Sequence, residues 1–355
     1  MAQKKSRNPK AKPAATPQAN KAAKSAPSRK KLSLAHWLLL ALGFGLYLNT
    51  VNYEFALDDK LYITYNQFTK KGTAGIPDLW KNELLTGFYG TKRNLLSGGR
   101  YRPMSLTTHA IEWSLLGPDE EAEKAKRARG QWTADDDARK KAKLDSLAHA
   151  GHFLNAVIYG LTGLVLYIVL CHLFPPDPKK KWYLTFPFIA TALYIAHPLH
   201  TEVVANIKSR DELMSVLGAL GALYYTLQHL RNHKYQPLFL AGGCMLFSLF
   251  SKESAVTFLG IIPLTAFFFT KAKPGRVVLS TLILIAISMI WLVTRFEVIG
   301  WDQPQPIAEL MNDPFLGQSE GDKFATIFYT MGLYIKLLVF PHPLTHDYYP
   351  YHIPI

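Results

Sequence analysis

Cysteine is almost missing from this chain: Cys171 and Cys244 are the two thiols in 355 residues, and both lie inside apolar runs. Two thiols so placed form neither a disulfide framework nor a metal site, and each behaves as a small hydrophobe. Acid is missing from residues 1–31, whose ten Lys and Arg supply most of the net charge of +14. That stretch is rich in Ala, Pro, Ser and Lys and cannot bury a core. The basic balance therefore sits in a tail, which excludes a nucleic-acid reading. No period of 20–50 residues recurs, so the chain is no solenoid. Charged residues make up only 19% of the sequence and hydrophobic ones 49%.

That apolar excess is concentrated in runs at 32–53, 150–174, 182–197, 211–230, 237–251, 255–270, 277–296 and 325–341. Most approach the ~20 residues that cross a hydrocarbon layer of ~30 Å. The expected fold is all-α: a polytopic helical membrane protein of about seven to eight spans. The first run is long for a signal-peptide core and lacks a small-residue cleavage site, so it reads as a retained anchor. Lys and Arg remain on the cytoplasmic side. With the basic tail inside, the turns at Lys179–Lys181, at Arg231 and Lys234, and at Lys271, Lys273 and Arg276 are cytoplasmic. The domain reading is a cytoplasmic tail at 1–31 and a membrane domain at 32–355. Residues 54–149 form a large first extracytoplasmic loop, with a charged insert at 118–148, and 297–324 form a second one, holding Trp301, Asp302, Asp313 and Asp322. The last run, 325–341, contains Lys336 and either spans or lies on the surface.

Ionisable residues at the ends of apolar spans are costly to place, so a cluster of them marks a functional site. Asp58 and Asp59 follow the first span by a few residues. Two carboxylates there suit a general base toward a hydroxyl, or a divalent-cation site; the competing reading is a helix N-cap pair. In GGRYRPMSLTTHAIEW, Arg100 and Arg102 suit a phosphate, which accepts the guanidinium fork bidentately, or snorkel to lipid headgroups. His152 and Asn155 in GHFLN share one helical face, a pair that more often means packing through a hydrogen bond than catalysis. The segment at 197–213 gathers His197, His200, Glu202, Lys208, Arg210, Asp211 and Glu212. Its His-x-x-His holds a proline and does not match zincin spacing, so no metal centre is expected. Lys252 and Glu253 lie between apolar stretches, and PHPLTHDYYPYHIP at 341–354 collects His342, His346, Asp347 and His352 with three tyrosines, which alone would suit an aromatic belt.

Taken in order, DD after the first span, YRP, GHFLN, HPLHTE with its charged turn, SKES, and FPHPL with DYYP resemble the transmembrane and tetratricopeptide-repeat-containing O-mannosyltransferase family and its bacterial relatives, polytopic glycosyltransferases of the GT-C class. The resemblance covers residues 32–355 apart from the charged insert. It implies a polyprenyl-phosphate-linked sugar donor, a hydroxyl acceptor on protein or glycan, and transfer on the non-cytoplasmic face. It also implies that Asp58 or Asp59 acts on the acceptor. Donor and acceptor contacts are expected among Arg100, Arg102, His197, His200, Glu202, Arg210, Asp211, Lys252 and Glu253. No cofactor is required by this reading, although the acidic pair could take a divalent cation. The repeats that follow the membrane part in relatives are not in this chain, which leaves the acceptor open. The alternative class is a transporter or flippase of lipid-linked sugars, but the polar residues gather at one membrane face instead of the midplane. No Asn-x-Ser/Thr triplet occurs, which leans toward a bacterial inner membrane over the endoplasmic reticulum.

Overall fold

A computed structural model of the chain describes residues 33–90, 99–300 and 315–345. The basic tail, Trp301, Asp302, Asp313, His346, Asp347 and His352 lie outside them. The described residues are helical throughout, with no strand among them. Thirteen α-helices are described: α1 Leu34–Gly45, α2 Ile76–Lys81, α3 Thr86–Tyr89, α4 Pro103–Leu116, α5 Glu120–Ala128, α6 Ala134–Leu173, α7 Phe186–Ala196, α8 Thr201–Ala205, α9 Arg210–Asn232, α10 Tyr235–Ser251, α11 Phe258–Phe269, α12 Pro274–Ile299 and α13 Glu320–Val339.

Local chemistry explains the boundaries. Ser33 opens α1 in a reciprocal cap with His36, and Thr133 opens α6 in the same way with Asp136. Each pair satisfies amide groups that the first turn leaves without partners. Asp135, Asp136 and Asp137 in the first turn of α6 also oppose the helix dipole. Pro103 and Pro274 stand at the starts of α4 and α12, where the absent N–H costs nothing. His233 closes α9 in the left-handed conformation, at φ 58°.

Three helical stretches are long and apolar enough to cross a membrane: Leu34–Asn52, Ala134–Leu173 and Pro274–Ile299. Phe186–Ala196, Tyr235–Ser251 and Glu253–Phe269 are apolar but shorter. The described helices thus make a membrane protein with three candidate spans. The division expected at 149/150 falls inside a helix, because α6 runs unbroken for 40 residues from the charged insert into the second apolar run. Its charged beginning pairs with α5 through Lys140–Glu123 at 2.6 Å and Lys126–Asp136 at 2.7 Å.

Glycines let α1 and α6 meet closely. A Cβ on Gly43 would lie 2.9 Å from the Gly160 Cα, and one on Gly160 would lie 2.9 Å from the Leu40 carbonyl oxygen. Small residues that allow such approach are the usual device for packing helices in lipid. α9 packs against α6 and α10 at the centre of the bundle. The first loop is folded: Tyr62, Ile63, Leu79 and Leu84 form a core with Leu106, Ala110 and Trp113 of α4, Leu147 and Ala148 of α6, and Ile207. This core seats the Asp58–Asp59 segment on the turn that leads into α9. Along α13 only Leu337 is buried.

Candidate active site

The N-terminal end of α9 is the meeting point. Within two residues it supplies Arg210 and Asp211, both buried, just after the short turn Ile207–Ser209. Arg210 is completely enclosed, at 0% exposure. Its Nε donates to the Asn155 side-chain oxygen at 2.9 Å. One terminal nitrogen donates to Thr108 Oγ1 and Glu112 Oε2, both at 2.9 Å, and the other to the Gly151 carbonyl at 3.1 Å. Asn155 in turn donates to the Asn206 carbonyl at 2.9 Å. Arg210 therefore knots α4, α6 and α9 together. Burial alone would raise the Glu112 carboxyl, but the Arg210 charge outweighs it and brings the pKa down to about 2. Burial and the same arginine push the His109 imidazole below its usual value.

A second ionic group lies beside the first. Arg102 is buried and grips Glu253 with its fork, at 2.9 Å from Nε and 2.6 Å from a terminal nitrogen. Its remaining terminal nitrogen donates to Asp211 at 2.8 Å. Burial works against its charge, yet Glu253 and Asp211 hold the pKa above the ordinary arginine value. The Glu253 carboxyl is lowered because Arg102 overcomes its desolvation. Lys252 pairs with Glu212 and stands 3.9 Å from Asp211. Four of the expected substrate contacts, Arg102, Asp211, Lys252 and Glu253, thus join one network, from segments as far apart as 102 and 253.

The network changes the reading of the cations. Arg210 is enclosed and engaged by protein at every nitrogen, so it builds the site. The fork of Arg102 is already occupied by carboxylates, and Lys252 has Glu212. Among the described residues, no carboxylate lies within ion-pair distance of Lys208 or Arg100. The Lys208 ammonium lies over the Tyr62 ring, 5.5 Å from its centre. Burial lowers its pKa, opposed by the charges of Asp211 and Asp58. Arg100 is exposed, and its charge reaches Tyr62 and Glu83.

The adjacent aspartates part company. Asp59 is fully buried; its two oxygens accept N–H bonds from Lys208 at 2.7 Å and Ala56 at 3.0 Å. Burial raises its pKa, and those amides and Arg210 pull the other way. Asp59 therefore ties the first loop to the turn before α9. Asp58 is exposed, and its charge is felt by both Lys208 and Tyr62. Leu57, just before it, has a φ of 45°, a strained conformation for a branched side chain that the surrounding structure must hold. Among the described residues no three His, Cys, Asp or Glu side chains gather at metal-binding distance. A cation at the acidic pair would have Asp58 as its one uncommitted carboxylate.

The HPLHTE residues are not brought into this network. His197 Nε2 lies 3.2 Å from the Leu338 carbonyl. The His200 ring packs against Tyr194 and Tyr159, with centroids 4.4 and 5.5 Å away, and Glu202 is exposed. Glu112 and Thr108 are absent from the expected site residues, and Lys208, named in the 197–213 cluster, is absent from the expected donor and acceptor contacts. The first two form an i, i+4 pair on α4, a polar stripe visible in THAIE, and Lys208 stands two residues before Arg210.

The architecture defines an all-helical membrane protein with an ionic site built at the ends of its helices. Comparison with known proteins bears out the resemblance seen in the motifs: the chain is similar to the TMTC proteins, named protein O-mannosyl-transferases. It is 24% identical over 337 residues to Protein O-mannosyl-transferase TMTC2 of Homo sapiens, which covers 89% of this chain and 35% of that protein. It is 26% identical over 218 residues to Protein O-mannosyl-transferase Tmtc1 of Drosophila melanogaster, covering 61% of this chain and 21% of the relative. With Protein O-mannosyl-transferase F38B6.6 of Caenorhabditis elegans it shares 26% over 201 residues, 56% of this chain and 26% of the relative. The chain thus spans about a third or less of these relatives' length. No family model and no solved structure matches it. These relatives are animal proteins, which does not favour the bacterial inner membrane expected from the missing Asn-x-Ser/Thr triplet.

Proposed function

We propose that this chain is the membrane part of a GT-C-type glycosyltransferase of seven to eight spans that transfers a hexose, mannose by analogy with its relatives' names, from a polyprenyl-phosphate donor to a protein hydroxyl on the non-cytoplasmic face. The observation that carries the reading is the division of labour at the acidic pair. Asp59 is buried and anchored, while Asp58 is exposed and its charge reaches Lys208, which has no carboxylate within ion-pair distance among the described residues. Asp58 takes the proton of the acceptor hydroxyl as its oxygen attacks the anomeric carbon. The bond from that carbon to the donor phosphate oxygen breaks, and its electron pair leaves on the phosphate. Lys208 and Arg100, which have no carboxylate within ion-pair distance among the described residues, stabilise the charge that develops there. Arg102, Glu253, Asp211, Lys252 and Glu212 hold the surrounding helix ends in place, and no resident cofactor is assigned.

The test is transfer by the purified full chain in detergent, with radiolabelled polyprenyl-phosphate mannose and a Ser/Thr-rich peptide. Label appearing in the peptide through an alkali-labile bond supports the proposal. Donor that crosses proteoliposome membranes without ever being consumed supports a flippase instead and overturns it.

A further inference from the structure

The opposite end of α9 holds a second site. A cavity of about 710 Å³ opens where α6, α9 and α11 end and α12 begins. Arg231, Lys271, Lys273 and Arg276 line it, with His172 and His233, and none of its lining residues is acidic. The wall beneath is apolar, formed by Leu173, Leu227, Leu230 and Phe269. Both chemistries matter: a phosphate needs the cations, and the glycerol and first methylenes of a lipid need the wall. The placement also fits, because α6 and α12 are candidate spans whose ends at Leu173 and Pro274 put the opening at headgroup level. α9 separates it from Arg210 by about 33 Å, at ~1.5 Å per residue over 23 residues.

We propose that this cavity binds the phosphate headgroup of an anionic membrane lipid. Basic pockets between membrane helices are suited to such headgroups, and here four Lys or Arg converge with no carboxylate among the described residues to neutralise them. Lys271 and Lys273 come from the α11–α12 connection, Arg231 from the last turn of α9 and Arg276 from the first turn of α12, so a bound phosphate would clamp three helices. The proposal does not depend on the catalytic reading, since no residue of the ionic site lines the cavity.

The experiment measures lipid retained by the full chain after purification from mixed micelles of phosphatidylglycerol and phosphatidylcholine, read by native mass spectrometry. Wild type should retain phosphatidylglycerol selectively. Arg231→Gln with Arg276→Gln should lower that retention about tenfold or more, whereas Lys179→Gln with Lys180→Gln, at the same end of the molecule but outside the cavity, should leave it unchanged. Melting temperature in neutral detergent checks that the first pair folds; if it does not, Lys271→Gln with Lys273→Gln serves in its place. Equal retention of both lipids, or equal loss from the Lys179/Lys180 pair, would show diffuse surface charge and overturn the proposal. Displacement of the lipid by millimolar inorganic phosphate would assign the cavity to free phosphate and overturn it likewise.

Discussion

Lys208 and Arg210 stand two positions apart and do opposite work. Arg210 is enclosed and saturated, so removing it takes the guanidinium from the half-buried Glu112 and leaves it the His109 ring at 3.4 Å; breaking a buried pair of this kind costs up to about 3–5 kcal/mol. Arg210→Ala should therefore lower the melting temperature sharply in detergent, and Arg210→Lys should rescue little, because one ammonium cannot replace a fork bonded to two neighbouring helices. The linkage to pH follows from Glu112. Its pKa is depressed from 4.5 to about 2, so its contribution is fully present above pH 4.5 and is lost as pH falls toward 2. The size is about 3 kcal/mol at ~1.4 kcal/mol per unit. Thermal melts between pH 6 and 3 should show the greater part of this loss in wild type and a flatter profile in Glu112→Gln. Lys208, by contrast, should matter to activity alone. Lys208→Gln is expected to reduce kcat/KM for the donor by roughly tenfold to a hundredfold, the worth of a charge-assisted contact, with an unchanged melting temperature. Kinetics equal to wild type would move the phosphate site to Arg100.

At the scale of elements, the apolar runs were readable as helices, while the caps and the continuities emerged only with the fold. Ser33 and Thr133 cap α1 and α6, and Pro103 and Pro274 start α4 and α12. Hydropathy breaks α6 near residue 150, but the backbone does not, since the Ala, Lys, Asp and Leu before that point sustain a helix that α5 pairs with through ion pairs. Nor could spacing reveal that Arg102 is spoken for: its partners stand at 211 and 253, and Arg210 finds Glu112 nearly a hundred positions away. Arg102, Asp211, Lys252 and Glu253 were legible as a set, but their mutual compensation is a property of the fold. The α1–α6 contact offers a test at this scale. Gly160→Val places a branched side chain against the Leu40 carbonyl, and overpacking of this kind costs about 1–3 kcal/mol; Gly45→Val, where a Cβ meets nothing within 4 Å, should be tolerated. Equal melting temperatures for the two variants would remove the close approach from the account.

For the molecule as a whole, α9 links an ionic site at one end to a basic cavity at the other. If charge sets the orientation, a cysteine at Ser209 should react with a membrane-impermeant thiol reagent added outside, and one at Asn232 should react only after permeabilisation. Labelling on a single side for both would mean that α9 does not cross. The first loop, folded onto α4 and α6, holds the acidic pair at the Arg210 end of this axis, and the assignment of chemistry to that pair is the centre of the account. The decisive measurement is mannose transfer by purified Asp58→Asn and Asp59→Asn, each scored beside its melting temperature. Asp58→Asn should melt like wild type, still bind donor, and lose transfer by about 10²–10⁴-fold, the usual worth of a general base. Asp59→Asn should lose stability by about 1–3 kcal/mol as a buried acceptor of two N–H bonds is altered. Wild-type turnover by Asp58→Asn in that assay would contradict the account.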